Sequence, residues 1–424
     1  MQFRIINAVN DQLVNGVNLC KIAAMDRLNN PYAPGAGLQP PELAGRDRLL
    51  AEASIDMDRV LAGRPAKGQI LLGLRGVGKT VLLNRLRSIA DEKGFRTARI
   101  EAPEGSPLPQ LLVPELRQLL YGLDLRQAAS RRLLHAANVL AKFAAAFKVK
   151  AGDLEISVDL APGRGDSGNL EQDLPQLLVV LAEAAAERRT AVGLFIDEVQ
   201  YLSPAELGAV VVACHEIAQQ NLPLLFIGAG LPQVAALAGR AKSYAERLFD
   251  YPQVGPLQTE DARAALLKPA QAEGVRFEAD AADQILHAAE NFPYFIQEWG
   301  FQVWNAAPAS PITTAMVRAA NPDVVAQLDN NFFRVRFDRL TPLEQKYLRA
   351  MAELGPGPHG TGSIAETLGV RPPAVATVRR HLIDKGMVWS QRHGETAFTV
   401  PMFDAFMKRQ MPELRKHIPQ PRGG

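Results

Sequence analysis

The sequence predicts an α/β fold in which helices cover a parallel sheet and a smaller, mixed domain follows. Three observations carry this reading. The stretch "GLRGVGKT", Gly73 to Thr80, has the Gly-x-x-x-x-Gly-Lys-Thr spacing of a phosphate loop. Apolar strand-like runs alternate with helical ones from Leu43 to about Tyr251. The run "AVGLFIDE" then ends in two acids, about 120 residues after the loop. Together they indicate a P-loop NTPase sheet.

The phosphate loop has the context it needs. "QILLG", Gln69 to Gly73, is a short apolar run of strand type, and "TVLLNRLRSIADEKG" spaces Val81, Leu82, Leu83, Leu86 and Ile89 at helical intervals before Gly94. Gly73, Gly76 and Gly78 let the backbone wrap closely round a phosphate chain, with its N–H groups and the helix N-terminus aimed at anionic oxygens. Gly73, Arg75, Gly76, Val77, Gly78, Lys79, Thr80 and Val81 are therefore the candidate nucleotide-binding residues of the loop. Lys79 would reach the β- and γ-phosphates of ATP, and Thr80 would ligate Mg²⁺.

The second half of such a site comes from the acidic pair. A buried apolar strand, Val192 to Ile196, ends in Asp197 and Glu198, at the carboxyl edge where open α/β sheets bind ligands. Asp197 would hold Mg²⁺, directly or through water, and Glu198 would orient and polarise the attacking water.

The remaining elements follow in order. Residues 1–40 end in "NNPYAPGAGLQPPEL", whose prolines and glycines read as a linker or extended arm. The core, residues 41–255, has "FRTARIEA" and "LPLLFIGAG" as further strands. An insertion at about 117–174 contains the basic amphipathic helix "RRLLHAANVLAKFAAAFKVKA", the strand "DLEISVDL" and the loop "APGRGDSGN". The basic helix reads either as a partner surface or as a solvated face over alanine-rich packing. Residues 256–320 read as a small helical subdomain, 321–415 as a separate C-terminal domain and 416–424 as a tail.

Composition narrows the class. The chain has 424 residues, 47% hydrophobic and 22% charged, which suits a multi-domain globular protein. The net charge of +2 hides an excess of five positive charges from Asp323 onward. Two cysteines, Cys20 and Cys214, argue against a disulfide framework and suit a reducing cytoplasm. There is no apolar run of membrane-spanning length, and the first residues lack a signal-peptide layout.

The phosphate loop, "FIDEVQYL" and the upstream "PPELAGRDRLL" together resemble the AAA-type ATPases of the origin-recognition and archaeal-ATPase branch. The resemblance covers residues 40–320 and, more loosely, the C-terminal domain. It implies that Gly45 and Arg46 belong to a box packing near the adenine, with "PYAPGAG" beside the base, and that 256–320 is a helical lid. Where the family places sensor 1, this chain has Gly228, Ala229 and Gly230. Arg247, and after it Arg240, would supply an arginine finger to a neighbouring subunit. Sensor 2 has no arginine to fill it between Asn291 and Gly300. With both sensors weak, the resemblance implies slow hydrolysis and a switch rather than a motor.

In the C-terminal domain, "LTPLEQKYLRAMAELG" predicts a helix with Thr341 as N-cap, Pro342 at the first position and Gly355 as stop. "GSIAETLGV" and "RPPAVATVRRHLIDKGM" give two more helices, and "MVWSQRHGETAFTV" a pair of strands round His393 and Gly394. Three helices and a hairpin resemble the winged helix-turn-helix fold, whose third helix enters the major groove of double-stranded DNA. Arg371, Arg379, Arg380, His381 and Lys385 on or beside that helix, with Arg392 in the wing, are the candidate DNA contacts. The preferred function is an ATP-hydrolysing, DNA-associated switch. The rivals are a signalling or defence ATPase whose winged helix is a protein-interaction brake or supports self-assembly, and a non-hydrolysing ATP-binding regulator.

Overall fold

Five short strands set the frame of the nucleotide-binding half: β1 (Gly68–Leu72), β2 (Arg96–Glu101), β3 (Val192–Asp197), β4 (Leu224–Gly230) and β5 (Phe249–Asp250). A computed structural model describes residues 25–35, 37–123, 130–149, 165–390, 392 and 394–414. Among these the strands form one sheet in the order β2-β3-β4-β1-β5, with every pairing parallel. Every residue of β3 and β4 is buried, which is why their sequences read as continuous apolar runs rather than alternating ones.

Alternate strand residues serve the two faces. Ile70, Leu72, Leu194, Ile196 and Phe226 pack against the helices Leu108–Gly122, Arg131–Ala146, Leu170–Glu187 and Pro204–Gln219. Leu71, Phe195 and Ile227 face the helices Asp47–Leu61 and Lys79–Glu92. The basic helix of the insertion therefore belongs to the core: Leu133, Ala136, Ala137, Leu140 and Phe143 are buried while Arg131 and Arg132 are exposed. The strand read at "DLEISVDL" lies outside the described residues, as do residues 1–24, the tail 416–424 and His393.

The second apolar layer continues into the helices Thr259–Ala272, Ala279–Ala288, Pro293–Ala306 and Thr314–Gln327. The boundary expected at 320/321 falls inside this last helix, which carries Pro322 and runs on through a π-helical turn, Leu328–Phe333, and a short helix, Arg334–Phe337. The described part of the arm is extended and strapped to Pro293–Ala306: Asn30 donates to Phe301 O, Ala33 N to Gln297 Oε1, and the ring of Tyr32 lies where a side chain at Gly300 would stand.

The C-terminal unit opens with the helix Pro342–Leu354, capped reciprocally by Thr341 and Glu344. The helices Thr361–Leu368 and Pro372–Asp384 follow, and β6 (His359–Gly360), β7 (Val388–Trp389) and β8 (Glu395–Phe398) form an antiparallel sheet ordered β6-β8-β7. A closing helix, Phe403–Gln410, which the sequence pattern does not separate, packs Phe403 and Phe406 against Phe333. No helix among the described residues is long and apolar enough to cross a membrane.

Candidate nucleotide site

Strand β1 ends at the loop, and the loop's glycines answer to two different constraints. Gly78 has φ +88°, a left-handed conformation that favours glycine, just ahead of the helix Lys79–Glu92. At Gly73 a Cβ would come 2.1 Å from the carbonyl oxygen of Val254. Lys79 is buried, and its ammonium donates to the carbonyls of Gly73 and Leu74, each at 2.9 Å. Burial pushes its pKa down from 10.5 to about 8, against the pull of Glu198 and Asp197.

The acidic pair stands beside the loop. Thr80 Oγ1 donates to Asp197 Oδ2 at 2.7 Å, and Asp197 Oδ1 accepts from the amide of Glu198 at 2.9 Å. Burial raises the Asp197 pKa, while the bond from Thr80 lowers it. The hydroxyl and carboxylate are hard oxygen donors facing one another, a set that suits Mg²⁺. Glu198 adopts φ +54° and turns its side chain to Gln200, whose amide donates to Oε2, and to Arg75, whose guanidinium lies 3.8 Å from Oε1.

A cavity of about 440 Å³ joins these groups. Its apolar lining, Ala33, Pro34, Leu38, Leu43, Ala44 and Leu257, suits a base. Its wall also includes Arg75, Gly76, Val77, Gly78, Lys79, Thr80, Val81 and Glu198. Arg46 lines the cavity too, but its guanidinium is spent on Val77 O and Gly255 O, so it braces the loop. Gly45 and Gly73 stand behind this surface, Gly45 packed against Asp261. Arg247 and Arg240 are exposed and do not line the cavity of their own chain.

Three polar residues at the site carry no signal in the sequence. Gln200 Oε1 accepts from Leu231 N at 3.0 Å, placing an amide at the end of β4 where Gly228 and Gly230 offer no side chain. Tyr201 accepts from Arg75 Nη2 at 2.8 Å. Arg336, from the short helix that leads into the C-terminal unit, lines the cavity together with Asn331 and Phe332.

The C-terminal unit meets the loop directly. Arg75 N donates to Thr399 O at 3.0 Å, and a Cβ at Gly386 would come 3.3 Å from Arg75 Nη2. The six candidate DNA contacts divide. Arg371, Arg380, His381 and Arg392 are exposed. Arg379 instead turns inward, donating to Thr396 Oγ1, Ser390 Oγ and Glu395 O, and Lys385 pairs with Glu344 and donates to Arg339 O.

Residues 42–227 match the AAA ATPase domain model, and residues 330–407 match a domain of unknown function (DUF8462). Among solved structures the chain is similar to the Walker-type ATPase PABY2304 of Pyrococcus abyssi, at 14% identity and TM-score 0.57, covering 87% of this chain and 97% of that one. It also matches the RuvB Holliday junction branch migration motor of Thermotoga maritima at 16% identity and TM-score 0.42, over 85% of this chain and 96% of that one. A further match is the Aeropyrum pernix Orc1 protein in complex with DNA, at 16% identity and TM-score 0.43, over 88% of this chain and 94% of that one. No curated protein matches the chain. The domain match and the first structural likeness agree on a parallel-sheet P-loop fold, which implies nucleotide binding.

Proposed function

We propose that the chain binds ATP with Mg²⁺ and hydrolyses it slowly, as a nucleotide-dependent switch whose C-terminal unit is a winged helix-turn-helix that docks on double-stranded DNA. The observation that carries the ATPase reading is the convergence of Lys79, Thr80 and Glu198 on one cavity, with Asp197 held against Thr80. Lys79 is a buried cation whose hydrogen bonds, among the described residues, go to carbonyl oxygens, so a phosphate chain would add a directly bonded anion to the more distant charges of Glu198 and Asp197. Thr80 and Asp197 would hold Mg²⁺, which neutralises charge on the phosphates. Glu198 would orient the attacking water and accept its proton. Both Arg75 and Gln200 already engage Glu198, which supports slow turnover.

Exposed Arg371, Arg380, His381 and Arg392 support the DNA reading, because exposed hydrogen-bond donors, three of them guanidinium groups, on or beside a third helix and its wing suit backbone phosphates. A second reading, an internal brake, is favoured by the hydrogen bond from Arg75 N to Thr399 O, which seats the C-terminal unit on the phosphate loop. Phosphate release from MgATP, measured for the wild type and Glu198→Gln with and without duplex DNA, tests the proposal. Turnover that needs Glu198 and responds to the duplex is expected. Absence of turnover under all four conditions would overturn the ATPase reading, and turnover indifferent to DNA would favour the brake.

A further inference from the structure

Arg336, like Arg46, is a cation at the site that the phosphate loop does not supply. It belongs to the helix Arg334–Phe337, about 140 residues beyond Glu198, yet lines the same cavity as Gly76, Lys79, Thr80 and Glu198. Its guanidinium carbon sits 4.2 Å from the centroid of the Phe332 ring, and Nη1 donates to Phe332 O. Phe332 in turn stacks on Tyr294 at 4.7 Å, and the Tyr294 amide donates to Gly76 O at 3.1 Å. The side chain is thereby aimed from the connector toward the loop, held by an aromatic ring and by a carbonyl.

Its charge is poorly answered. Among the described residues no carboxylate forms an ion pair with Arg336, and Arg75 stands near enough to repel it. Burial, followed by Arg75, pulls its pKa from 12.5 down to about 10, with Glu198 the carboxylate that offsets this in part. Arg46, Arg75, Lys79 and Arg336 line the cavity against the carboxylates Glu42 and Glu198, with Asp197 behind Thr80, an excess of positive charge that suits an anion. The location decides which anion group. Arg336 also lines a second cavity together with Arg75 and Tyr201, and Arg75 is the loop residue that pairs with Glu198, read as orienting the water, so the terminal phosphate is the group within its reach.

We propose that Arg336 binds the γ-phosphate of ATP, making the site prefer ATP over ADP and linking the connector, and the C-terminal unit behind it, to the presence of that phosphate. The proposal rests on the nucleotide reading above. In a planar guanidinium, one N–H on Phe332 O leaves others for phosphate oxygens. Phe333, adjacent to Phe332, stacks on Phe406 of the closing helix at 5.3 Å, so a shift of Arg336 toward phosphate would be felt in the C-terminal unit.

Calorimetric titrations of the full chain with ADP and with a non-hydrolysable ATP analogue, both with Mg²⁺, test this. Arg336→Met keeps an apolar stem over Phe332 and removes the charge; Arg336→Lys keeps a point charge without the planar fork. The wild type is expected to favour the analogue, Arg336→Met to lose about tenfold of that preference with ADP affinity within about twofold, and Arg336→Lys to retain part of it, as for removal of a charge-assisted hydrogen bond. An unchanged preference in Arg336→Met would overturn the assignment. Equal weakening of both nucleotides would also overturn it, since a packing role predicts that result. If the wild type bound neither nucleotide, the underlying reading of the site would fail and the assignment with it.

Discussion

Thr80 Oγ1 and Asp197 Oδ2 are joined by a 2.7 Å hydrogen bond across 117 residues of sequence. The bond exists because parallel strands β1 and β3, each beside β4, deliver the loop and the acid to the same sheet edge. In the proposed reading these two oxygens would instead hold Mg²⁺. Thr80→Ala and Asp197→Asn are expected to lower ATP affinity in Mg²⁺ by about ten- to a hundredfold, the scale of damage to a metal's ligand shells. Chelation by EDTA should weaken the wild type and leave the variants little changed. A wild type indifferent to EDTA would remove the metal from the site. In the nucleotide-free protein, Asp197→Asn relieves a buried carboxylate whose pKa burial raises, so it should melt higher than the wild type.

Lys79 gives nucleotide binding a pH signature. Burial holds its pKa at about 8 in the free protein, and bound phosphates favour the ammonium and raise it. The bound state therefore holds more protons above pH 8, so affinity should be flat below that value and weaken above it, by at most about tenfold per pH unit. For folding, the depressed value means the unfolded chain binds more protons between about 8 and 10.5, and stability without nucleotide should rise with pH across that window. ADP titrations at pH 7, 8 and 9 check the first sign; Lys79→Ala should bind weakly and show no such slope. Equal affinity at all three pH values in the wild type would disprove the linkage.

Glu198→Gln should keep ATP affinity and lose at least about a hundredfold in turnover, the lower range for removing a positioned base. The amide preserves the shape that faces Arg75 and Gln200 but cannot take a proton. Phosphate release within twofold of the wild type would exclude Glu198 from the reaction.

The parts of this site that are legible in the sequence are those whose chemistry constrains neighbouring residues. A phosphate loop needs its glycines, lysine and threonine at fixed spacing, and the acidic pair beside it closes an apolar strand, so Lys79, Thr80, Asp197 and Glu198 announce themselves as candidates. Arg336 does not: "RVRF" carries no motif, and its placement depends on a connector that continues from the helix Thr314–Gln327 and brings Arg336 to the cavity wall. Gln200 is similar, since its use depends on glycines at the end of β4, where a Cβ at Gly230 would come 2.9 Å from Gln200 Oε1. Arg379 reads as a surface cation in the sequence because its acceptors, Ser390 just after β7 and Glu395 and Thr396 in β8, come later in the chain. Strand β5 has two residues, too few to show a period.

That inward turn separates two arginines adjacent in sequence. Replacing exposed Arg380 and Arg392 by alanine should weaken duplex binding and lower its salt slope by about one for each phosphate no longer neutralised, with thermal stability unchanged. Arg379→Ala should instead destabilise the C-terminal unit by about 1–3 kcal/mol, because three acceptors lose their donor. Unaltered duplex affinity in the Arg380/Arg392 variant, measured at two salt concentrations, would refute DNA binding through this face.

The brake reading makes its own demand on the interface between the two halves. Arg75 N donates to Thr399 O, but a backbone bond cannot be deleted by changing a side chain. A nearby side-chain link can be: Arg339, in the connector, pairs with Glu104, just after β2, at 2.7 Å. Both partners are exposed, so the pair itself contributes little, about 0.2–1 kcal/mol. Arg339→Glu does more than remove it, because two like charges then face each other and push the connector from the core. If docking restrains turnover, Arg339→Glu should raise basal phosphate release about two- to fivefold, an energy of the same order as the reversed pair. Neither residue lines the nucleotide cavity, so ADP affinity should hold. Adding Glu104→Arg restores opposite charges and should return turnover to the wild-type rate. A rise that the second substitution failed to reverse would trace to damage rather than docking, and basal turnover unchanged in Arg339→Glu would leave the C-terminal unit without a restraining role through this ion pair.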